Sequence, residues 1–151
     1  MAADRTIIKG LPMIKVAVLG ENTLDGCDLS AATDLQVITL TAANLNQAIE
    51  DIIGLNADVV VLDQDNEDLH ADVVCSFLAK HHNRAQTLIL TRQIPHFEML
   101  AQTGFSARGY ILPAQRPLLA KAIHAVHDGE AWLPRRLVAE MLDHFAASGS
   151  L

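Results

Sequence analysis

The sequence predicts a doubly wound α/β domain on five parallel strands, and three observations carry that expectation. Short apolar runs recur without in-out alternation, as strands covered on both faces require. Amphipathic helical stripes separate these runs, so strand and helix alternate as parallel crossovers demand. No internal repeat or low-complexity tract breaks the pattern.

The first strand is Val16-Ala17-Val18-Leu19, closed by Gly20, and the second runs from Leu35 to Leu40. Asp58 to Leu62 is the third, β-branched and apolar on both faces; Thr87 to Leu90 is the fourth and Gly109 to Leu112 the fifth. One helix has the stripe Leu45, Ala48, Ile49, Ile52 and Ile53, with Asn44 as its N-cap and Gly54 as its stop. Val73, Val74, Phe77 and Leu78 mark a second, after Asp72. Leu118, Leu119, Ala122, Ile123 and Val126 mark another, opened by Pro117 and ended by Gly129. The stretch 95–102 is a shorter helix, and 24–32 is expected to be the first crossover helix despite Gly26 and a sparse stripe.

Past Gly129 the pattern changes. Trp132-Leu133-Pro134 opens a last helix with the stripe Leu137, Val138, Met141, Leu142 and Phe145, followed by the linker-like Ala-Ala-Ser-Gly-Ser. That stripe must be buried against the domain or against a second copy. Pairing with a second copy is the favoured expectation, so the chain is read as a homodimer.

At 151 residues the chain has room for one ordinary domain, and with half its residues apolar it builds a core without disulfides. A net charge of −7 argues against a surface made to grip nucleic acid, and 4% aromatic content argues against a base-stacking platform. No apolar run approaches the roughly 20 residues of a membrane span, and the N-terminus lacks an export signal, so no membrane partner is expected. Cys27 and Cys75, without CxxC or Cys/His spacing, read as core fillers of a reduced, cytoplasmic protein. His124 and His127 share a helix face, and His81 and His82 are neighbours; neither pair has partners that complete a metal site.

Functional groups of an open parallel sheet collect at the carboxyl ends of its strands. Here those ends carry Gly20-Glu21-Asn22, Asp63-Gln64-Asp65, Thr91 and Tyr110. Converging carboxylates repel unless a hard cation such as Mg²⁺ lies between them. A hydroxyl on the next strand then faces any phosphoryl group added to Asp63, which makes an aspartyl-phosphate site the chemistry to consider.

The segments IKVAVLGEN, NADVVVLDQD, TLILT, SARGYILP and LLAKAIHAVHDGEAWLPRRLVAEML resemble a CheY-like receiver domain of the LuxR/NarL-type response regulators, from Met13 to Phe145. The resemblance implies a flavodoxin-like fold with a phosphoacceptor at Asp63, switch residues at Thr91 and Tyr110, and a metal held by Glu21, Asp63 and Asp65. It implies a flexible arm over 1–12, a receiver over 13–128, and a linker helix over 129–151 leading to an output domain. On this reading a sensor histidine kinase is the upstream partner, and DNA is reached only through an output domain outside this chain. The sequence departs from the family at three places. The acidic pair falls on Gly20 and Glu21, the lysine three positions after the aromatic is Pro113, and the Met-Pro after the phosphoacceptor is Asn66-Glu67. Loss of the lysine removes a charge-assisted contact worth ~1.5–3 kcal/mol, and one missing carboxylate weakens Mg²⁺, with Asp65 or Glu67 compensating in part. The expectation is therefore an atypical, non-enzymatic receiver. A stand-alone interaction receiver and an aspartate-nucleophile phosphatase are the alternatives, and the phosphatase lacks a later lysine and acidic pair. A dinucleotide-binding reading fails on the glycine spacing after Gly20.

Overall fold

A computed structural model describes residues 7–8, 11–66, 68–81 and 83–148. Five strands form one parallel sheet: β3 (Ile14–Leu19), β4 (Leu35–Leu40), β5 (Val59–Asp63), β6 (Gln86–Leu90) and β7 (Ala107–Ile111), in spatial order β4-β3-β5-β6-β7. This is the doubly wound fold the sequence predicts. A short antiparallel pair precedes it, β1 (Ile7–Ile8) against β2 (Leu11–Pro12), so part of the expected flexible arm is a hairpin.

β5 is central because its residues tolerate burial on both faces: Val59, Val60 and Val61 are fully buried. Their alternation divides the core in two. Val60 and Leu62 join α1 (Leu45–Leu55), α2 (Ala71–Lys80) and α3 (Phe97–Gln102) through Ile52, Val74, Leu78 and Leu100. Val59 and Val61 face α4 (Leu119–His127) through Leu119, Ala122, Ile123 and Val126. Burying one such side chain contributes about 1.5–3 kcal/mol. α1 is capped at Asn44, whose Oδ1 accepts the Gln47 N–H at 2.9 Å. Its stop is Asn56 in the left-handed region rather than Gly54, which lies inside the last turn.

Two expectations need correction. The first crossover is not a helix; between β3 and β4 the chain runs through successive turns, with Gly26 at φ 80°. Its apolar residues Leu24, Cys27, Leu29 and Ala32 still cover the α4-side core, so burial survives where helical order does not. Arg116, in the 3₁₀ turn Pro113–Leu118, fastens this crossover by donating from Nη1 to the carbonyls of Thr23 (3.0 Å) and Asp25 (2.6 Å).

The second correction concerns the segment after Gly129, which is part of the same body. The Trp132 N–H donates to the Arg108 carbonyl (2.9 Å), and the Tyr110 N–H donates to the Trp132 carbonyl (3.0 Å), so the tail lies parallel to the outer edge of β7. Helix α5 (Arg135–Ala147) then turns back, and its apolar stripe divides. Leu137 is fully buried in the core cluster of α1–α3, with Leu133 and Met141 packed on it. Phe145 meets Phe97 and Phe105, and His144 stacks on Phe97 at 3.7 Å. Val138 and Leu142 stay 40% and 54% exposed. Leu137, Met141 and Phe145 therefore make contacts within the chain, on the core of α1–α3 and the α3 aromatics.

The close approach of Trp132 depends on Gly109. A Cβ there would lie 2.7 Å from Leu88 Cδ2 and from the Trp132 carbonyl oxygen. Gly109→Ala is expected to cost about 1–3 kcal/mol by overpacking and to loosen the tail. Urea unfolding measures the first effect, and a red shift of the single tryptophan's emission in the folded state measures the second.

His124 joins α4 to the start of β4. Its Nδ1 faces the Ala120 carbonyl at 2.7 Å and its Nε2 faces Asp34 Oδ2 at 2.7 Å. Both are acceptors, so the imidazolium fits the site. The hydrogen bond to Asp34 raises the His124 pKa above 6.5, and the same bond lowers Asp34 below 3.8. The raised histidine adds stability at pH below its unfolded value, and that is lost as pH rises through the folded one. The lowered carboxylate adds stability above its unfolded value, and that is lost in acid. The pair is partly exposed and screened, worth ~0.2–1 kcal/mol. The urea midpoint lost in His124→Gln should be larger near pH ~5.5 than near pH ~8.5.

Candidate functional site

The carboxyl edge of the sheet gathers the residues that the sequence singles out. Asp63 is the last residue of β5, and its register partner on β6 is Leu90, which places Thr91 one residue further along the neighbouring strand. Ile89 pairs with Tyr110 on β7. On the other side, β3 and β5 run in register through Val18 and Val61, and two residues beyond that pair lie Gly20 and Asp63. Gly20, Asp63 and Thr91 thus occupy the ends of three adjacent strands.

The side chains at these ends are committed locally. Asp63 Oδ1 accepts the backbone N–H of Asp65 at 2.9 Å, folding the loop after β5 into a tight turn. Asp65 Oδ2 faces Arg92 Nε at 3.6 Å across the strand gap. Thr91 is 1% exposed, and its Oγ1 accepts the Gln93 N–H at 3.1 Å, so the hydroxyl closes its own loop. Tyr110 is also 1% exposed, with its ring in the α1–α3 core. Burial raises its phenol pKa, with Cys75 and Asp72 adding to the effect. Burial likewise pushes the Cys75 thiol up to about 12, so that residue is a core filler.

Gly20 governs the acidic turn. Its φ is 100°, and a Cβ built on it would meet Thr23 Oγ1 at 2.7 Å. The Thr23 hydroxyl donates to the Leu19 carbonyl and is itself buried. The backbone conformation and the occupied space both exclude a side chain where the resembled family has its first carboxylate. Glu21 is exposed beside a hollow of about 220 Å³ lined by Thr41, Asn66 and Asp68. Among the described residues no three His, Cys, Asp or Glu side chains are grouped to hold a metal ion. Of the three residues expected to hold a metal, Asp63 accepts an N–H of its own loop, Asp65 faces Arg92 and Glu21 is exposed. Glu67, the compensating carboxylate, and His82 lie outside the described residues. Pro113 opens the 3₁₀ turn, supplying neither a cation nor an N–H.

Two cations here escaped sequence reading. Arg92 carries a legible signal, a cation directly after the strand-end Thr91. Arg116 carries none, because its partners Thr23 and Asp25 are ninety-odd residues away in sequence.

The order of strands and helices, with functional groups at the end of the central strand, defines the receiver fold. No family model and no curated protein matches the sequence. Solved structures do match. The isolated receiver domain of RcsB from Salmonella enterica serovar Typhimurium aligns at TM-score 0.68 and 18% identity, over 86% of this chain and 98% of that one. A LuxR-family two-component response regulator from Aurantimonas aligns at 0.65 and 16%, over 89% and 99%. An RcsB response regulator of Salmonella typhimurium, studied for DNA interaction, aligns at 0.65 and 17% over 84% of this chain and 66% of its own. This chain spans about two-thirds of that regulator's length. At these identities the likeness establishes the fold. Among the described residues no helix is long and apolar enough to cross a membrane.

Gly20→Asp, which writes back the missing carboxylate, is expected to destabilise the fold by about 1–3 kcal/mol, since it combines a positive φ with a steric conflict at Thr23. Denaturant unfolding of the single variant, compared with Gly20→Asp/Thr23→Ala, separates the two contributions: the second change should recover the part due to the clash.

Proposed function

We propose that the chain is the regulatory receiver unit of a two-component-type transcriptional regulator whose phosphorylation site is altered. On this reading it acts by pairing with a second copy or by partner and ligand contacts, with conventional phosphorylation of Asp63 displaced from its usual control. The observation that carries the reading is Gly20: a carboxylate stands at the end of β5, while at Gly20 a positive φ and the Thr23 hydroxyl oppose a second one. Pro113 in place of the expected lysine, and a Thr91 hydroxyl already closing its own loop, act in the same direction. Mg²⁺ is held weakly at most in this arrangement, and no catalytic role is assigned to Asp63. A second copy would use Val138 and Leu142, the exposed part of the α5 stripe.

The test is titration of the full chain with beryllofluoride and Mg²⁺, followed by backbone amide shifts around Asp63 and by light scattering. The expected result is weak, non-saturating binding with no change in association state, the same in wild type and Asp63→Asn. Tight, saturable binding abolished by Asp63→Asn overturns the proposal and restores ordinary phosphoryl control.

A further inference from the structure

The far edge of the sheet carries a second constellation. Between the end of α2 and the starts of β6 and β7 lies a cavity of about 330 Å³. Its polar wall includes Asn83, Arg84, Ser106 and Arg108, its apolar wall includes Leu78 and Phe105, and no Asp or Glu lines it. Asp63 ends β5 at the opposite edge, about 15 Å away along a five-residue strand.

Two arginines border this cavity. Arg84 pairs with Asp58 Oδ1 at 3.2 Å through one nitrogen, with its side chain 64% exposed. The other Asp58 oxygen already accepts the Lys15 N–H at 2.9 Å, so that carboxylate has little more to offer. Arg108 donates from Nη2 to the carbonyls of Gly129 and Glu130, while its Nε–H is buried without a partner. Asn83 Oδ1 is taken by the Ala85 N–H at 2.9 Å, and the Ser106 carbonyl accepts from Thr87 Oγ1 at 3.2 Å.

A buried donor without an acceptor is costly, and native structures normally supply the missing partner as water, an ion or a ligand. Water satisfies a buried donor but brings no charge to Arg108, whose partners here are carbonyls, or to the exposed side of Arg84. An oxyanion does both, since two oxygens match the planar fork of an arginine. We propose that this cavity is a binding site for a small oxyanion, a carboxylate or phosphate compound whose charged end meets Arg84 and Arg108 and whose carbon skeleton lies against Leu78 and Phe105. Phe105 also contacts Phe97 and Phe145, so an occupant of this cavity touches the aromatic group that holds α5.

The probes are inorganic phosphate and succinate, titrated into the full chain against sodium chloride at equal ionic strength. Thermal unfolding and backbone amide shifts are the readouts. At least one probe should raise Tm saturably above the chloride control and shift the amides of 83–87 and 106–108. Arg84→Gln and Arg108→Gln should each weaken its apparent affinity about tenfold or more, the loss expected for a hydrogen bond to a charged group. Arg84 is largely exposed, so its variant remains informative if Arg108→Gln fails to fold. Asp63→Asn should bind as wild type does, which separates this site from the phosphoacceptor. A response to both probes equal to chloride, or one that survives Arg84→Gln unchanged, overturns the proposal and leaves the cavity to water.

Discussion

The backbone of Trp132 lies in van der Waals contact with β7 only because residue 109 has no side chain. In a parallel sheet the outer strand leaves a row of peptide groups without partners on one side, and such an edge must be covered or kept wet. Here the cover is the chain's own tail. Two backbone hydrogen bonds, one into the Arg108 carbonyl and one from the Tyr110 N–H, fix it in place. From that anchor Pro134 redirects the chain into α5, which carries Leu137 into the core and Phe145 onto Phe97 and Phe105. A bulkier residue at 109 would move the anchor, and with it everything after Gly129.

This arrangement explains which parts of the molecule were legible in the sequence. Strands buried on both faces announce themselves, because nothing but continuous apolar residues fits between two helical layers; Val59 to Leu62 is the plainest case. The doubly wound fold and a carboxylate at the end of its third strand followed from that pattern; the receiver reading came from the resemblance. A helical stripe shows that a face will be buried but does not name its partner. Leu137 and Val138 are adjacent in the same stripe, yet the first is fully buried and the second 40% exposed. The difference comes from where Trp132 docks, a close approach that periodicity cannot register. The first crossover failed for the converse reason: Leu24, Cys27, Leu29 and Ala32 are apolar enough to be buried, and turns around Gly26 bury them as well as a helix would.

The candidate site shows the same division. Identity and strand position placed Asp63, Thr91 and Tyr110 at adjacent strand ends. What each side chain does was set by loop geometry that spacing does not encode. The Asp63 carboxylate holds the turn after β5, and the Thr91 hydroxyl holds the turn after β6. Gly20 illustrates the limit best. As a sequence change it reads as one carboxylate missing from a pair. In the fold it is a left-handed turn whose side-chain space is taken by the Thr23 hydroxyl, itself bonded to the Leu19 carbonyl.

Tyr110 connects these observations. Its N–H is held by the tail at Trp132, and its ring is packed in the core shared by α1–α3 and Leu137. Its hydroxyl is buried without a partner near Cys75. A rotamer change at this residue would withdraw the ring from that core, toward the hollow it lines with Trp132, Leu133 and Pro134. Interiors packed this closely resist gradual deformation and move between discrete arrangements. In this molecule the aromatic at the end of the sheet and Leu137 of the C-terminal helix belong to one buried cluster, so the packing of the edge strand and of α5 rests on the same core.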